Sequence, residues 1–116
     1  MDAKVLVMGA TFKEDVSDIR NSKVVDVIKE LESFSCNVEV VDPHASSDEL
    51  FEEYGFRLVS EMGNDYDAVI IAVNHEEYSS KTEQDFKNLM IGGAGVLVDI
   101  KGIYKHQFKE LDYWSL

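Results

Sequence analysis

The stretch Val5-Leu6-Val7-Met8-Gly9 decides the fold, because a short apolar run closed by a turn residue is typical of a strand buried on both faces. Similar runs recur along the chain. They lie at Val38 to Val41, Ala68 to Val73 and Val96 to Val98, with a weaker candidate at Phe56 to Val59. These runs predict the strands of a single sheet.

Three helical patterns separate the apolar runs. Apolar residues recur at helical spacing from Val24 to Phe34. A capping box at Ser46 to Glu49 begins a second helix that Gly55 is placed to end. Thr82 is placed to cap a third helix, which Gly92-Gly93 would close. The stretch from Tyr104 predicts a short helix followed by an edge strand at Tyr113 to Leu116.

Buried strands that alternate with amphipathic helices predict an α/β domain, Rossmann-like and doubly wound, with helices on both faces of a mainly parallel sheet. We expect five or six strands in the order 3-2-1-4-5, any sixth lying at the edge. The 116 residues are expected to form a single domain, 1–116. Ligands bind such sheets where the winding reverses, so the loop Gly9 to Ser22 and the loop after Asp99 should share one cleft.

The composition limits the kinds of binding partner and the cellular compartment that we expect for this protein. A formal net charge of −12 argues against nucleic acid and against anionic membranes. A single cysteine, Cys36, excludes an internal disulfide, and neither thiolate clusters nor histidine spacings indicate a metal site. The sequence shows no apolar run long enough for a bilayer and no signal peptide at its start, so we expect a cytoplasmic protein.

The loop after the first predicted strand carries a cluster of cations. It lacks the second and third glycines of a dinucleotide fingerprint, and it is longer than an ordinary connection. Lys13, Arg20 and Lys23 lie close to the start of the following helix, where free N–H groups favour an anion. The alternative is a set of solvated charges in which Arg20 pairs with Asp18 or Asp15.

The motifs in this loop are recognisable as a group. The chain reads Gly9-x-Thr11-Phe12-Lys13, then Asp18-x-Arg20-Asn21-Ser22, and Asp42-Pro43 follows the second predicted strand. Further matching pieces are Asn74 to Tyr78 and Asp99 to Gly102. This combination resembles the C-terminal domain of the UDP-glucose/GDP-mannose dehydrogenase family, most of all the branch that acts on UDP-N-acetylhexosamines.

The resemblance implies an oxidoreductase in three parts, of which only the third is present in this sequence. Members have an N-terminal NAD-binding domain, a central helical domain and a C-terminal UDP-binding domain. They oxidise the C6 alcohol of a UDP-sugar to a uronate with NAD, through a cysteine in the missing portion, for surface polysaccharide precursors. The chain alone is therefore expected to be inactive and to hold no catalytic residue, and the full-length protein is expected to be a homo-oligomer.

The same resemblance implies binding roles for four residues of this sequence. Phe12 and Lys13 would bind the UDP-sugar, and Arg20 would reach the NAD held by the other domain. Lys101 stands where many members carry an arginine that binds the UDP-sugar. A lysine keeps the positive charge but lacks the planar guanidinium that can bind a phosphate through two N–H groups.

The sequence leaves other interpretations open. A stand-alone nucleotide- or CoA-binding regulatory module would use the same fold without catalysis. His75 is a candidate general base, although its neighbours Glu76 and Glu77 favour a solvated loop. Asp42 stands where dinucleotide folds carry a ribose-binding acid, and a turn-stabilising role is the alternative. Near the end of the chain, Tyr113 and Trp114 are expected to be packed aromatics.

Overall fold

The computed structural model describes residues 3–11, 19, 23–73, 75–78, 80–104 and 107–115. Within them, five parallel strands form one sheet in the order β2-β1-β3-β4-β5. The strands are β1 Lys4–Met8, β2 Asn37–Val41, β3 Ala68–Ile71, β4 Val96–Asp99 and β5 Asp112–Ser115. This arrangement confirms the predicted Rossmann-like α/β fold and the strand at its far edge.

The helices are α1 Val24–Ser33, α2 Ser47–Tyr54 and α3 Glu83–Lys87, with 3-10 turns at Glu76–Tyr78 and Ile91–Gly93. The predicted caps are present: the Ser46 hydroxyl accepts the Glu49 N–H at 3.3 Å, and Gly55 ends α2 with φ of 85°. The third helix is shorter than predicted. Met90, which lies before the glycine pair predicted to close this helix, is extended and pairs with Tyr66 in an isolated parallel bridge, so the chain has already left the helix.

The weak strand candidate at Phe56 to Val59 is wrong. Val59 N donates to Val40 O at 2.9 Å, but Leu58 N donates to the Ser47 hydroxyl at 3.0 Å instead of to a neighbouring strand. The single backbone hydrogen bond from Val59 does not extend the sheet, and β2 forms its edge within the described residues. The described part of the stretch between Tyr104 and β5 also lacks the predicted helix and contains a turn that Gln107 N closes onto Tyr104 O.

The two faces of the sheet carry separate cores, as alternation along a strand requires. Val5 and Val7 face the first core, where α1 and α2 contribute Val24, Ile28 and Leu50. Leu6 and Met8 face the second core, which α3 and the C-terminal segment cover. Helices therefore lie on both faces, as predicted. No helix in the described ranges has the length and apolar character needed to cross a membrane.

Candidate functional site

The carboxyl ends of the strands form one continuous edge. Backbone hydrogen bonds extend the ladders past the strand ends: Gly9 N to Val41 O at 2.9 Å, Ala72 N to Met8 O at 2.9 Å and Ile100 N to Ile71 O at 3.0 Å. The chain order reverses between β1 and β3, so this is the switch point at which such sheets bind ligands. The loops after β1, β3 and β4 all leave from this edge.

Gly9 allows the chain segments that follow β1 and β3 to approach each other closely. Its φ is 106°, and a Cβ added to it would lie 2.7 Å from the Cβ of Val73. A side chain has neither the conformation nor the space that this position requires. The glycine therefore fixes where the loop after β1 begins.

Asp42, which follows β2, accepts four hydrogen bonds through a fully buried carboxylate. Its Oδ1 accepts the N–H groups of His44 at 2.7 Å and Ala45 at 3.0 Å, which confirms the turn-stabilising role. Its Oδ2 accepts Ala10 N at 2.6 Å and lies 2.9 Å from His75 Nε2. With both oxygens engaged, Asp42 has no capacity left for a ribose, so the alternative role as a ribose-binding acid does not fit.

His75 is fully buried, so the prediction of a solvated loop is wrong. The 3-10 turn that follows it leaves Glu76 and Glu77 exposed while the imidazole lies inside, with its ring centroid 5.6 Å from that of Tyr78. The hydroxyl of Thr11 lies 3.1 Å from His75 Nε2, the same nitrogen that contacts Asp42. A base that activates a hydroxyl binds its acid and its nucleophile through opposite nitrogens. This geometry therefore does not fit a general base.

His44, whose ring lies beside that of the buried His75, makes a further polar contact. His44 Nε2 lies 2.9 Å from Glu77 Oε1, and the His44 and His75 rings are 4.6 Å apart. The hydrogen bonds of the Glu77 carboxylate with its own backbone N–H and with His44 hold its pKa below the usual 4.5. The anionic form of Glu77 is therefore favoured, and its carboxylate contacts the imidazole of His44.

Asp99 has at the end of β4 a role like that of Asp42 at the end of β2. It is fully buried, and its Oδ2 accepts Tyr104 N at 2.8 Å and the Tyr113 hydroxyl at 2.6 Å. Desolvation by burial, followed by the hydrogen bond to Asp99, raises the pKa of Tyr113 to about 12. Tyr113 is therefore packed, as predicted. Trp114 is 62% exposed, so the prediction that it is a packed aromatic is wrong.

Lys101 is exposed on the turn that Asp99 stabilises. Gly102 N donates to Asp99 O at 3.2 Å, and Gly102 has a φ of 71°. The ammonium group is thus placed at the carboxyl edge of the sheet, on a turn whose backbone is held from within. Position and exposure both suit contact with an anion.

The other predicted site residues, Phe12, Lys13 and Arg20, lie outside the described residues. Two neighbours within the same loop are described, and both are buried: Thr11 is 1% exposed and Ile19 is 6% exposed. The Tyr54 hydroxyl donates to Ile19 O at 2.6 Å, which ties the loop to α2. The loop therefore has one buried residue before Phe12 and Lys13 and another between Lys13 and Arg20.

A cavity of about 560 Å³ is lined in part by Asp42 and Pro43, which follow β2. Its lining includes Met8, Tyr78 and Leu89 of the second core, and Lys101 is not part of that lining. None of the described residues of the loops after β1 and β4 lines this cavity. Within the described ranges, no group of three or more His, Cys, Asp or Glu side chains is arranged to hold a metal ion.

Sequence reasoning offered a turn-stabilising role for Asp42 as one alternative, and it did not identify Asp99 as a second buried support of the site. The available signal was an aspartate directly after a buried β-branched run, at Val41-Asp42 and at Val98-Asp99. A carboxylate in that position can accept the free N–H groups of the loop that leaves the sheet. His75 had no comparable signal, because its burial depends on the turn that follows it.

Comparison with known proteins finds related sequences and structures. The chain is 42% identical over 86 residues to the UDP-N-acetyl-D-glucosamine 6-dehydrogenase of Salmonella typhi, covering 73% of this chain and 20% of that protein. It is 41% identical over 101 residues to the enzyme of that name in Pseudomonas aeruginosa, covering 85% and 24% of the two chains. The native structure of the UDP-N-acetyl-mannosamine dehydrogenase of Staphylococcus aureus superposes with a TM-score of 0.77 at 28% identity, covering 99% of this chain and 26% of that one.

The chain thus spans a fifth to a quarter of the length of the Salmonella and Pseudomonas enzymes. Residues 6–106 match the family model described as the UDP binding domain of the UDP-glucose/GDP-mannose dehydrogenase family. That match covers most of the chain, including the first loop, Asp42, His75 and Lys101. The chain belongs to the UDP-glucose/GDP-mannose dehydrogenase family, whose UDP binding domain it matches.

Proposed function

We propose that this chain is the C-terminal, UDP-sugar-binding domain of a larger NAD-dependent UDP-sugar 6-dehydrogenase. The whole protein oxidises the C6 alcohol of a UDP-hexose or UDP-N-acetylhexosamine to a uronate for surface polysaccharide precursors. The names of the relatives support an N-acetylhexosamine as the sugar. The central helical domain and the NAD-binding domain belong to other parts of the full-length, homo-oligomeric, cytoplasmic protein.

The observation that carries this proposal is the position of the two candidate binding loops. Only β3 separates β1 from β4, so the loops that follow them leave the sheet about 10 Å apart. The first loop carries the family motif with Phe12 and Lys13, and the second carries the exposed Lys101. Such spacing allows one extended anion to contact both loops.

The charge balance of the chain makes local cations necessary. The net charge of −12 repels a diphosphate. At physiological salt, interactions between exposed charges more than roughly 8 Å apart are largely screened, so only cations close to the diphosphate can attract it. Lys101 supplies one cation, and Lys13 supplies a second in our proposal. The role of this domain is then to hold the diphosphate while the sugar extends toward the other domains.

The described residues do not fit a dinucleotide held by this domain itself. The carboxylate of Asp42, which would have to accept the ribose hydroxyls, already accepts four donors in a buried setting. The proposal therefore assigns NAD to the N-terminal domain, with Arg20 reaching toward it. When bound there, NAD accepts the hydride from C6, whereas this chain binds and orients the nucleotide sugar.

Activity and binding measurements together test the proposed function. The full-length gene product should produce NADH from NAD with a UDP-N-acetylhexosamine, and the 116-residue chain should not, because it lacks the cofactor domain. In calorimetry the chain should bind UDP weakly and uridine still more weakly, since uridine lacks the diphosphate. A gene product that leaves UDP-sugars unoxidised, or a chain that binds CoA in preference to UDP, would favour the regulatory module.

A further inference from the structure

We propose that His75 is a positioning residue that holds the loop after β1 and the loop after β4 in one fixed arrangement. The inference rests on the proposed function, because these are the two loops that we assign to the UDP-sugar. It arises from a continuous chain of hydrogen bonds that runs between the loops through His75. The imidazole acts through other groups and has no contact with the substrate in this proposal.

The first half of the chain of hydrogen bonds secures the loop after β1. His75 Nε2 lies 2.9 Å from Asp42 Oδ2 and 3.1 Å from the hydroxyl of Thr11. The same Asp42 oxygen accepts Ala10 N at 2.6 Å. Ala10 and Thr11 immediately precede Phe12 and Lys13, so the histidine holds the described start of the loop that carries the motif.

The second half secures the loop after β4. Tyr78 N donates to His75 O at 3.0 Å, and the Tyr104 hydroxyl donates to Tyr78 O. Tyr104 N in turn donates to Asp99 Oδ2 at 2.8 Å. Lys101 lies on the turn between Asp99 and Tyr104, so the 3-10 turn after His75 is the link between both loops.

Burial shows that this network is part of the rigid interior. His75 and Asp99 are 0% exposed, Tyr104 is 1% exposed and Tyr78 is 3% exposed. Apolar residues would fill the same space without the cost of desolvating polar groups. A satisfied polar network instead specifies one geometry, which a site needs to within roughly 0.5 Å.

Two substitutions in the full-length protein test the role of His75. His75→Leu removes the hydrogen bonds to Asp42 and Thr11, and we expect the KM for the UDP-sugar to rise about 10-fold or more. His75→Gln places an amide nitrogen near the position of Nε2 and should keep the KM within about 3-fold of the wild type. Leu50→Ala, on the face of α2 that packs in the first core, is the control for a loss of stability alone and should leave the KM unchanged.

Hydrogen exchange followed by mass spectrometry provides a readout that needs no ligand. In His75→Leu, exchange should accelerate in peptides that contain Ala10 and Thr11, because the imidazole contacts with Asp42 and Thr11 are lost. The link to the loop after β4 runs through the His75 carbonyl, so it has to be tested with a different substitution. Tyr104→Phe is a milder second variant, because it removes only the hydroxyl that bonds to Tyr78 O. It should accelerate exchange in the Lys101 peptides, which keeps the test decisive even where His75→Leu fails to fold.

The outcomes separate this inference from the proposed function. A wild-type protein that neither binds nor oxidises UDP-sugars overturns the proposed function, and the exchange experiment then still decides whether His75 holds the two loops. Unchanged exchange in the Ala10 and Thr11 peptides of His75→Leu, or in the Lys101 peptides of Tyr104→Phe, overturns the positioning role. Equal KM values for the Leu variant and the wild type, or failure of Gln to restore the KM, also overturn it.

Discussion

Gly9 and Val73 approach each other so closely that a Cβ on Gly9 would lie 2.7 Å from the Cβ of Val73. Gly9→Ala should therefore lower the free energy of unfolding through both overlap and a positive φ of 106°. Overpacking and the unfavourable backbone conformation together amount to about 2 to 5 kcal/mol. Urea unfolding of the chain, followed by circular dichroism, measures the change.

Gly55→Ala is the matched control for this substitution. Gly55 also has a positive φ, 85°, but nothing lies within 4 Å of the position that its Cβ would occupy. Only the backbone cost remains, about 1 to 2 kcal/mol. Equal effects of the two substitutions would mean that the contact with Val73 contributes nothing.

Asp42→Asn should destabilise the chain, because a carboxamide cannot replace a carboxylate that accepts donors on both oxygens. Whichever way the amide is turned, its NH₂ group faces backbone N–H groups: those of His44 and Ala45 on one side, that of Ala10 on the other. The expected loss is about 3 kcal/mol, and denaturant unfolding measures it.

Asp48→Asn provides the comparison for Asp42. Asp48 pairs with Arg57 at 2.6 Å, but its side chain is 84% exposed, so the loss should stay below about 1 kcal/mol. If the two substitutions cost the same, the four hydrogen bonds of the buried carboxylate would not stabilise the fold as inferred.

Much of the fold could be predicted because local chemistry and global topology agree. The core strands are short apolar runs, and turn residues such as Gly9 follow them directly. The Ser46 cap and Gly55 mark α2 for reasons that lie within a few residues. Burial of both faces then requires crossovers, which leave few topologies open.

The errors arose where distant groups decide the structure. Phe56 to Val59 has a strand-like pattern, yet the Ser47 hydroxyl takes the Leu58 N–H. His75 stands beside two glutamates that suggest solvent, and only the 3-10 turn explains why the imidazole lies inside. No periodicity in the sequence reports such contacts. At the site, Lys101 lies on the expected edge, whereas the roles of Phe12, Lys13 and Arg20 stay predictions.

Glu83 should make the anchoring of the C-terminal segment sensitive to acid. Its Oε2 accepts the N–H groups of Lys109, Glu110 and Leu111 at 2.8 to 2.9 Å. These hydrogen bonds, that of Leu111 first, hold the pKa of the carboxyl below its usual 4.5. The stabilisation is therefore complete above pH 4.5 and is lost as the pH falls through the lowered pKa of the folded state.

Comparison with Glu83→Gln isolates this carboxylate. The difference in unfolding free energy between the wild type and the variant should stay constant near neutral pH and shrink on acidification below 4.5. Chemical denaturation at a series of pH values gives the difference directly. A difference that is independent of pH across the acid range would mean that the charge of Glu83 does not contribute.

Lys101→Ala should weaken UDP binding, because an exposed ammonium group at the carboxyl edge interacts with the diphosphate in our proposal. An exposed ion pair contributes up to about 1 kcal/mol, which corresponds to roughly a 5-fold loss of affinity in calorimetry. Lys101→Arg should bind at least as tightly as the wild type, since a guanidinium can bind phosphate through two N–H groups. Lys29→Ala, on the exposed face of α1, removes the same charge elsewhere and should leave the affinity unchanged. If both alanine variants bind UDP equally well, Lys101 does not contact the diphosphate.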